Sequence, residues 1–250
     1  MMSVSKTAYY YKAKLKPEDE KIKSYLLSLI SEHKRWGFNK MRQKALLDNK
    51  TWNHKRLYRV YCELGLNIRI KPHKRIPKRE ARSLAYPLRS NICWSMDFMT
   101  DVLETGQSFR TFNVIDDHNR EGLLVNASFS HPSISVINCL EKAISTEGKP
   151  LQIRSDNGPE FSSKEFKSWA QRNDIELLFI QPGKPAQNGF IERFNRTFRE
   201  DILDMYLFSS LPEVQKLADE WLKRYNNDRP HESLNGLTPN LFKRRNKIAA

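Results

Sequence analysis

Between Asn67 and Asn91 the chain carries eight Lys and Arg against one acid, broken by Pro72, Pro77 and Pro87. Proline fixes φ and removes a backbone donor, and unbalanced charge extends a chain, so the stretch opposes a packed element and reads as a cationic linker. It divides the 250 residues into two parts of different texture. Residues 1–90 hold 23 Lys/Arg and 7 Asp/Glu, a net of +16, whereas residues 91–250 hold 20 and 22, a net of −2. The excess positive charge lies in the first third, where it favours a polyanionic partner through attraction and counterion release. With 39% hydrophobic residues the chain can bury one good core and a small second one. Cys62, Cys93 and Cys139 stand far apart with no Cys-x-x-Cys pair, against a disulfide framework or a zinc ribbon and in keeping with a reducing cytosol. Met1-Met-Ser-Val-Ser-Lys6 lacks an apolar core, and no apolar run approaches the roughly 20 residues of a membrane span. A cytoplasmic protein without membrane contact is therefore expected.

The first part is helical. Residues 17–31 begin with Pro17 and three acids, then place Ile22, Tyr25, Leu26, Leu29 and Ile30 at helical spacing, with Gly37 able to end the helix. Shorter helices are predicted over Asn39–Asp48 and Asn53–Leu64, the latter with Asn53 as N-cap, Leu57, Val60, Tyr61 and Leu64 on one stripe, and Gly65 past the end. Three short helices with a polar turn between the last two suggest a helix-turn-helix over residues 1–66. At about 100° per residue Lys55 and Arg59 lie roughly 160° and 200° from Leu57. With Arg56 they are the candidate DNA contacts of this head; the same pattern also reads as a solvated basic face.

Residues 91–250 carry strand signals first: Ile92–Leu103, Phe109–Asp116 and Leu123–Phe129, rich in β-branched and aromatic residues, in the simplest case an antiparallel meander. A helix over Ser133–Ile144, a strand over Leu151–Ser155, a helix over Ser162–Asn173 with a Ser162/Glu165 capping box, and a strand over Ile175–Ile180 follow. After a loop at Pro182–Pro185, two helices close the chain: one over Gln187–Arg199 with the stripe Ile191, Phe194, Phe198 and Ile202, and one from Ser210 with Glu213 as capping partner. Strands followed by alternating helix and strand give an α/β fold, a mixed sheet with helices packed on it.

Three carboxylates stand out. Asp97 interrupts an apolar strand in which Trp94, Met96 and Phe98 share the opposite face, and a charge there is costly unless compensated. Asp156 ends a strand before Asn157-Gly-Pro159, where α/β sheets present functional groups, although Asp-Asn-Gly-Pro is also an ordinary turn. Glu192 borders the apolar stripe of its helix with Arg196 and Arg199, at about 100°, 140° and 80° from Ile191; surface charges at such spacings are common. Separated carboxylates suit two-metal catalysis, because Mg²⁺ takes hard oxygen ligands and keeps waters and phosphate oxygens. Arg196 and Arg199 would then contact phosphates. His33, His54 and His73 lack a nearby cysteine pair, and neither a phosphate-binding Gly-x-x-x-x-Gly-Lys loop nor a Gly-x-Ser-x-Gly elbow occurs.

The strings Trp94-Ser-Met-Asp-Phe98, Ser155-Asp-Asn-Gly-Pro-Glu-Phe161 and Asn188-Gly-Phe-Ile-Glu-Arg-Phe-Asn195, with 35 residues between Asp156 and Glu192, resemble the Asp-Asp-Glu integrase core of bacterial insertion-sequence transposases. The likeness is to the second-frame protein of two-reading-frame elements, a family related to retroviral integrases. Arg199 matches the family's basic residue after the glutamate, and Tyr225-Asn-Asn-Asp-Arg-Pro-His-Glu-Ser-Leu234 with Leu237-Thr-Pro239 matches its closing signature. Trp36-Gly-Phe-Asn39 and Arg56–Leu66 resemble its helix-turn-helix segment. The resemblance implies a ribonuclease-H-like core, a mixed five-stranded sheet flanked by helices over residues 91–250, behind a small all-α head. Asp97 would lie on the first strand, Asp156 after the fourth and Glu192 on a helix.

It implies a polynucleotidyl transferase that cuts and joins double-stranded DNA, element ends and target. Asp97, Asp156 and Glu192 would hold two Mg²⁺ or Mn²⁺ ions. A homo-oligomer on DNA is expected, in the nucleoid-associated cytoplasm. Such proteins generally act fused by frameshift to an upstream-frame partner with a further DNA-binding module and a zipper; this chain starts at its own methionine and has no heptad zipper, so such a partner is expected. Two other readings are a DNA-binding accessory or inhibitor of transposition that keeps the fold without catalysis, and a structure-specific nuclease of the same fold.

Overall fold

Apolar residues at helical spacing build the first unit. The computed structural model describes residues 17–67, 87–181 and 185–248, so most of the linker and residues 182–184 of the predicted loop lie outside the described residues. The chain divides into two units, Met1–Lys71 and Pro72–Ala250. In the first, helices α1 (Pro17–Glu32), α2 (Phe38–Leu47) and α3 (His54–Glu63) enclose Ile22, Leu26, Trp36, Met41, Leu57 and Val60. The Asn53 side chain caps α3 by accepting from the Lys55 amide at 2.9 Å. Gly37 does not end the first helix. The helix stops at Glu32 so that the chain can turn and bury Trp36, which stacks on His33 at 3.8 Å, and Gly37 becomes the N-cap position of α2.

In the second unit, β1 (Cys93–Val102), β2 (Ser108–Asp116) and β3 (Gly122–Ser128) form the expected antiparallel meander. Helix α4 (Ser133–Glu147) leads to β4 (Gln152–Ser155), parallel to β1, and α5 (Lys164–Arg172) leads to β5 (Glu176–Phe179), parallel to β4. The strand order β3-β2-β1-β4-β5 is the ribonuclease-H-like arrangement. One sheet face buries Trp94, Met96 and Phe112 under α4 and α5. The other buries Met99, Phe109, Ile115 and Val125 under α6 (Gly189–Phe198) and α7 (Leu211–Asp228). The alternation along β1 thus puts Asp97 on the α6 side, as its strand neighbours predict.

Several boundaries differ from the sequence reading. Pro159 starts a separate helical turn, Pro159–Ser162, and the chain is extended at Ser163. The cap of α5 is therefore Ser163, accepting from the Phe166 amide at 3.1 Å, and not Ser162. At α7, Glu213 accepts from the amide and hydroxyl of Ser209, while Ser210 makes no side-chain cap bond. Helix α6 follows a 3₁₀ turn at Pro185–Asn188 and runs into a π-helical turn at Arg199–Leu203. A last helix, α8 (Pro239–Ile248), has no counterpart in the sequence reading; its signal was Thr238-Pro239, with proline at the first helical position and the Thr238 hydroxyl accepting from the Leu241 amide.

Strand β3 lies at the sheet edge, where unpaired backbone groups invite foreign strands. Helix α7 answers them with side-chain amides. Asn226 bonds both the amide and carbonyl of Gly122, at 2.9 and 2.8 Å, and Gln215 bonds the Val125 carbonyl and the Ala127 amide. Only glycine permits this approach, because a Cβ at residue 122 would stand 2.4 Å from Leu222 Cδ1 and 2.7 Å from Phe194 Cε2. Gly122→Ala should lower unfolding free energy by about 1–3 kcal/mol through overpacking against α6 and α7. Chemical denaturation measures it, and an unchanged midpoint would contradict the close packing.

Candidate active site

Asp97 sits in the middle of β1, paired in register with Asn113 of β2. The backbone amide of Phe98 donates to its Oδ1 at 2.8 Å, and the Asn195 side chain donates to its Oδ2 at 3.0 Å. Asn195 lies on α6, one turn after Glu192, and its carbonyl accepts from the buried Asn113 amide at 2.8 Å. Asn188, just ahead of α6, donates to the Met96 carbonyl at 3.4 Å. Helix α6 is thus tied to β1 and β2 by three asparagines, none of which the sequence reading singled out. The signal was present as Asn188 and Asn195 seven residues apart, about two turns, on the flank of the apolar stripe.

Asp156 follows β4 directly, and its Oδ1 accepts from the Gly158 amide at 3.0 Å, an Asx turn that fixes the carboxylate against the strand end. The turn is held at both ends: Asn157 donates to the Ile180 carbonyl at 2.9 Å, and Glu160 pairs with Arg110 of β2. Arg110 in turn lies over the Phe98 ring at 4.0 Å, and Phe98 stacks on Phe161.

Electrostatics connect the three acids. Asp97 is pushed up to about 6, first by burial and then by the charges of Asp156 and Glu192, against the opposing pull of the Phe98 amide and Asn195. The donors are oxygens only, Asp97 feels the charge of the other two, and the excess negative charge favours a cation, so the chemistry of the set fits a hard divalent ion. Glu192 is exposed, and among the described residues no group of three His, Cys, Asp or Glu is close enough to hold an ion as it stands.

The other expected contacts divide. Lys55 and Arg196 are exposed. Arg56 and Arg59 are engaged within the head: both reach the buried Asp19 of α1, Arg59 at 2.7 Å, and they also pair with Glu18 and Glu63 respectively. Arg59 does face away from Leu57, as its angle predicts, but α1 presents Glu18 and Asp19 to these two arginines. Arg199 donates to the Thr100 carbonyl at 2.9 Å and pairs with Asp101 at 3.2 Å, stapling the end of α6 to β1. In the closing signature, Arg229 reaches Asp201 and the Thr197 hydroxyl, and Tyr225 packs edge-on against Phe194 at 4.9 Å. That segment braces the glutamate helix from behind.

Two integrase core domain families match residues 87–185 and 173–239. An insertion element IS407 protein of 31.7 kDa from Burkholderia multivorans is 33% identical over 250 residues, covering 100% of this chain and 90% of that protein. The putative transposase InsK for insertion sequence element IS150 of Escherichia coli is 23% identical, covering 94% and 88%. The chain belongs to the integrase-core transposases of insertion sequences. A solved HTLV-2 integrase catalytic core domain in complex with magnesium is similar at a TM-score of 0.49 and 21% identity, covering 62% of this transposase and 98% of that chain. Among the described residues of the transposase no helix is long and apolar enough to cross a membrane.

The engaged arginines give a test. Asp19→Ala should destabilise the head by about 1–3 kcal/mol, because it removes a buried acceptor shared by two guanidinium groups. A melting curve measures this; no loss of stability would return Arg56 and Arg59 to the set of free DNA contacts.

Proposed function

We propose that this transposase cuts a DNA strand at an element end and joins the freed 3′-hydroxyl to target DNA, using Asp97, Asp156 and Glu192 as metal ligands. The observation that carries the reading is the half-buried carboxylate of Asp97, set in the sheet on the α6 side and raised first by burial and then by the charges of Asp156 and Glu192, two acids from separate elements. Mg²⁺ or Mn²⁺, two ions per site, would supply the positive charge that activates a hydroxyl and steadies the leaving oxygen in an in-line displacement. In the first step water forms a bond to phosphorus and the 3′ oxygen leaves with a proton; in the second that 3′-hydroxyl attacks a target phosphodiester and displaces its 3′ oxygen. The chain's own contribution is to hold the acids: Asp97 on a rigid strand, Asp156 in a bonded turn, Glu192 on a braced helix.

Non-sequence-specific affinity for double-stranded DNA is assigned to the basic head and linker, over residues 1–66 and 67–90, with Lys55 as an exposed contact of the head; Arg196, exposed on α6, is a separate contact of the core. Arg199 keeps a role beside the scissile phosphate only if DNA replaces Asp101 as its partner. A homo-oligomer on DNA, an upstream-frame partner joined by frameshift and a nucleoid-associated cytoplasmic location complete the proposal. The intact set of three acids favours catalysis over an accessory or inhibitor role.

Asp156→Asn should abolish Mg²⁺-supported cleavage and joining on element-end DNA and leave DNA binding within about twofold, since the head is untouched. Parallel loss of binding and chemistry would contradict the division of roles. Cleavage without joining by the unaltered protein would favour the nuclease reading.

A further inference from the structure

Asn195 is buried, yet it is spaced to do more than satisfy its own amide. Its oxygen accepts from Asn113 Nδ2 and its nitrogen donates to Asp97 Oδ2, so one side chain joins β2, α6 and β1 in a directed series. The Asn113 oxygen has no protein partner and the Asn113 side chain is wholly buried, so the bond to Asn195 is the one its amide makes among the described residues. The direction follows from chemistry: an ionised carboxylate only accepts, so Asn195 must turn its NH₂ to Asp97, and its carbonyl must then meet a donor, which Asn113 supplies.

We infer that Asn195, oriented by Asn113, is a positioning residue that sets the carboxylate rotamer of Asp97 and the depth of Glu192, and so tunes the affinity of the acidic site for a divalent cation. The first effect is direct. A hydrogen bond to one oxygen of Asp97 steadies its charged form in a half-buried position and restricts the rotation of the carboxylate. The second follows from helix geometry, because residues three apart lie on neighbouring positions of one face. Anchoring Asn195 to the sheet therefore fixes how Glu192 approaches, although Glu192 itself is exposed. The inference rests on the metal-ligand role proposed for the three acids.

The test is a calorimetric Mg²⁺ titration of the full chain, repeated with Mn²⁺, on the wild type, Asn195→Ala, Asn113→Ala and the double variant, with melting curves of each. Asn195→Ala should weaken cation affinity about tenfold, the scale of one lost hydrogen bond to a charged group. Asn113→Ala should weaken it less, and the double variant should match Asn195→Ala alone, because Asn113 acts through Asn195. Unchanged affinity with a lowered melting temperature, or independent additive losses, would overturn the inference and leave Asn195 a packing residue. If Asn195→Ala does not fold, Asn113→Ala decides: weaker cation binding supports the series, unchanged binding refutes it. The titration reads these outcomes even where no joining of DNA is seen; a wild type that binds neither cation would instead remove the proposed metal-ligand role itself.

Discussion

The cost of keeping a carboxylate inside the sheet governs much of this molecule. Asp97 occupies a β1 position whose neighbours are apolar on one face, and two further acids raise the cost of its charge. A lone charge in such a place would destabilise the fold. The chain meets the cost with an amide from its own strand and an asparagine from α6. The hydrogen bonds around this residue let the fold tolerate a carboxylate there.

Helix α6 is the element on which that arrangement turns. Its apolar side, Ile191, Phe194 and Phe198, is buried on the sheet, and its polar flank bonds to β1 and β2. Behind it α7 bonds the β3 edge through Gln215 and Asn226, and Arg229 reaches back to Thr197 and Asp201. Arg199 closes the far end against β1. The residues of the closing signature thus act on helix α6 through packing and hydrogen bonds.

Much of this was legible in the sequence because the relevant signals are local. The meander, the face of Asp97 and the stripe of α6 follow from alternation and helical spacing, and the turn at Asp156 from its Asn-Gly-Pro neighbours. The unread parts depend on tertiary partners. Asn195 has meaning only beside Asp97 and Asn113, which lie 98 and 82 residues away. Likewise the angular position of Arg59 could not reveal that Asp19, 40 residues earlier, waits beside it. Capping failed at Ser162 and Ser163, which are equivalent in a motif and are separated only by backbone conformation, whereas Ser210 is the N-cap position of α7 as read and only the bond of Glu213 moves to Ser209.

The central claim is that three acids from a strand, a turn and a helix serve one metal centre. Anomalous diffraction from crystals of the transposase grown with Mn²⁺ tests it most directly. Manganese bound between Asp97 and Asp156, with Glu192 swung in to reach it, is the expected result. Manganese found only at sites remote from Asp97, or bound there while Glu192 stays in solvent with and without DNA, would contradict it.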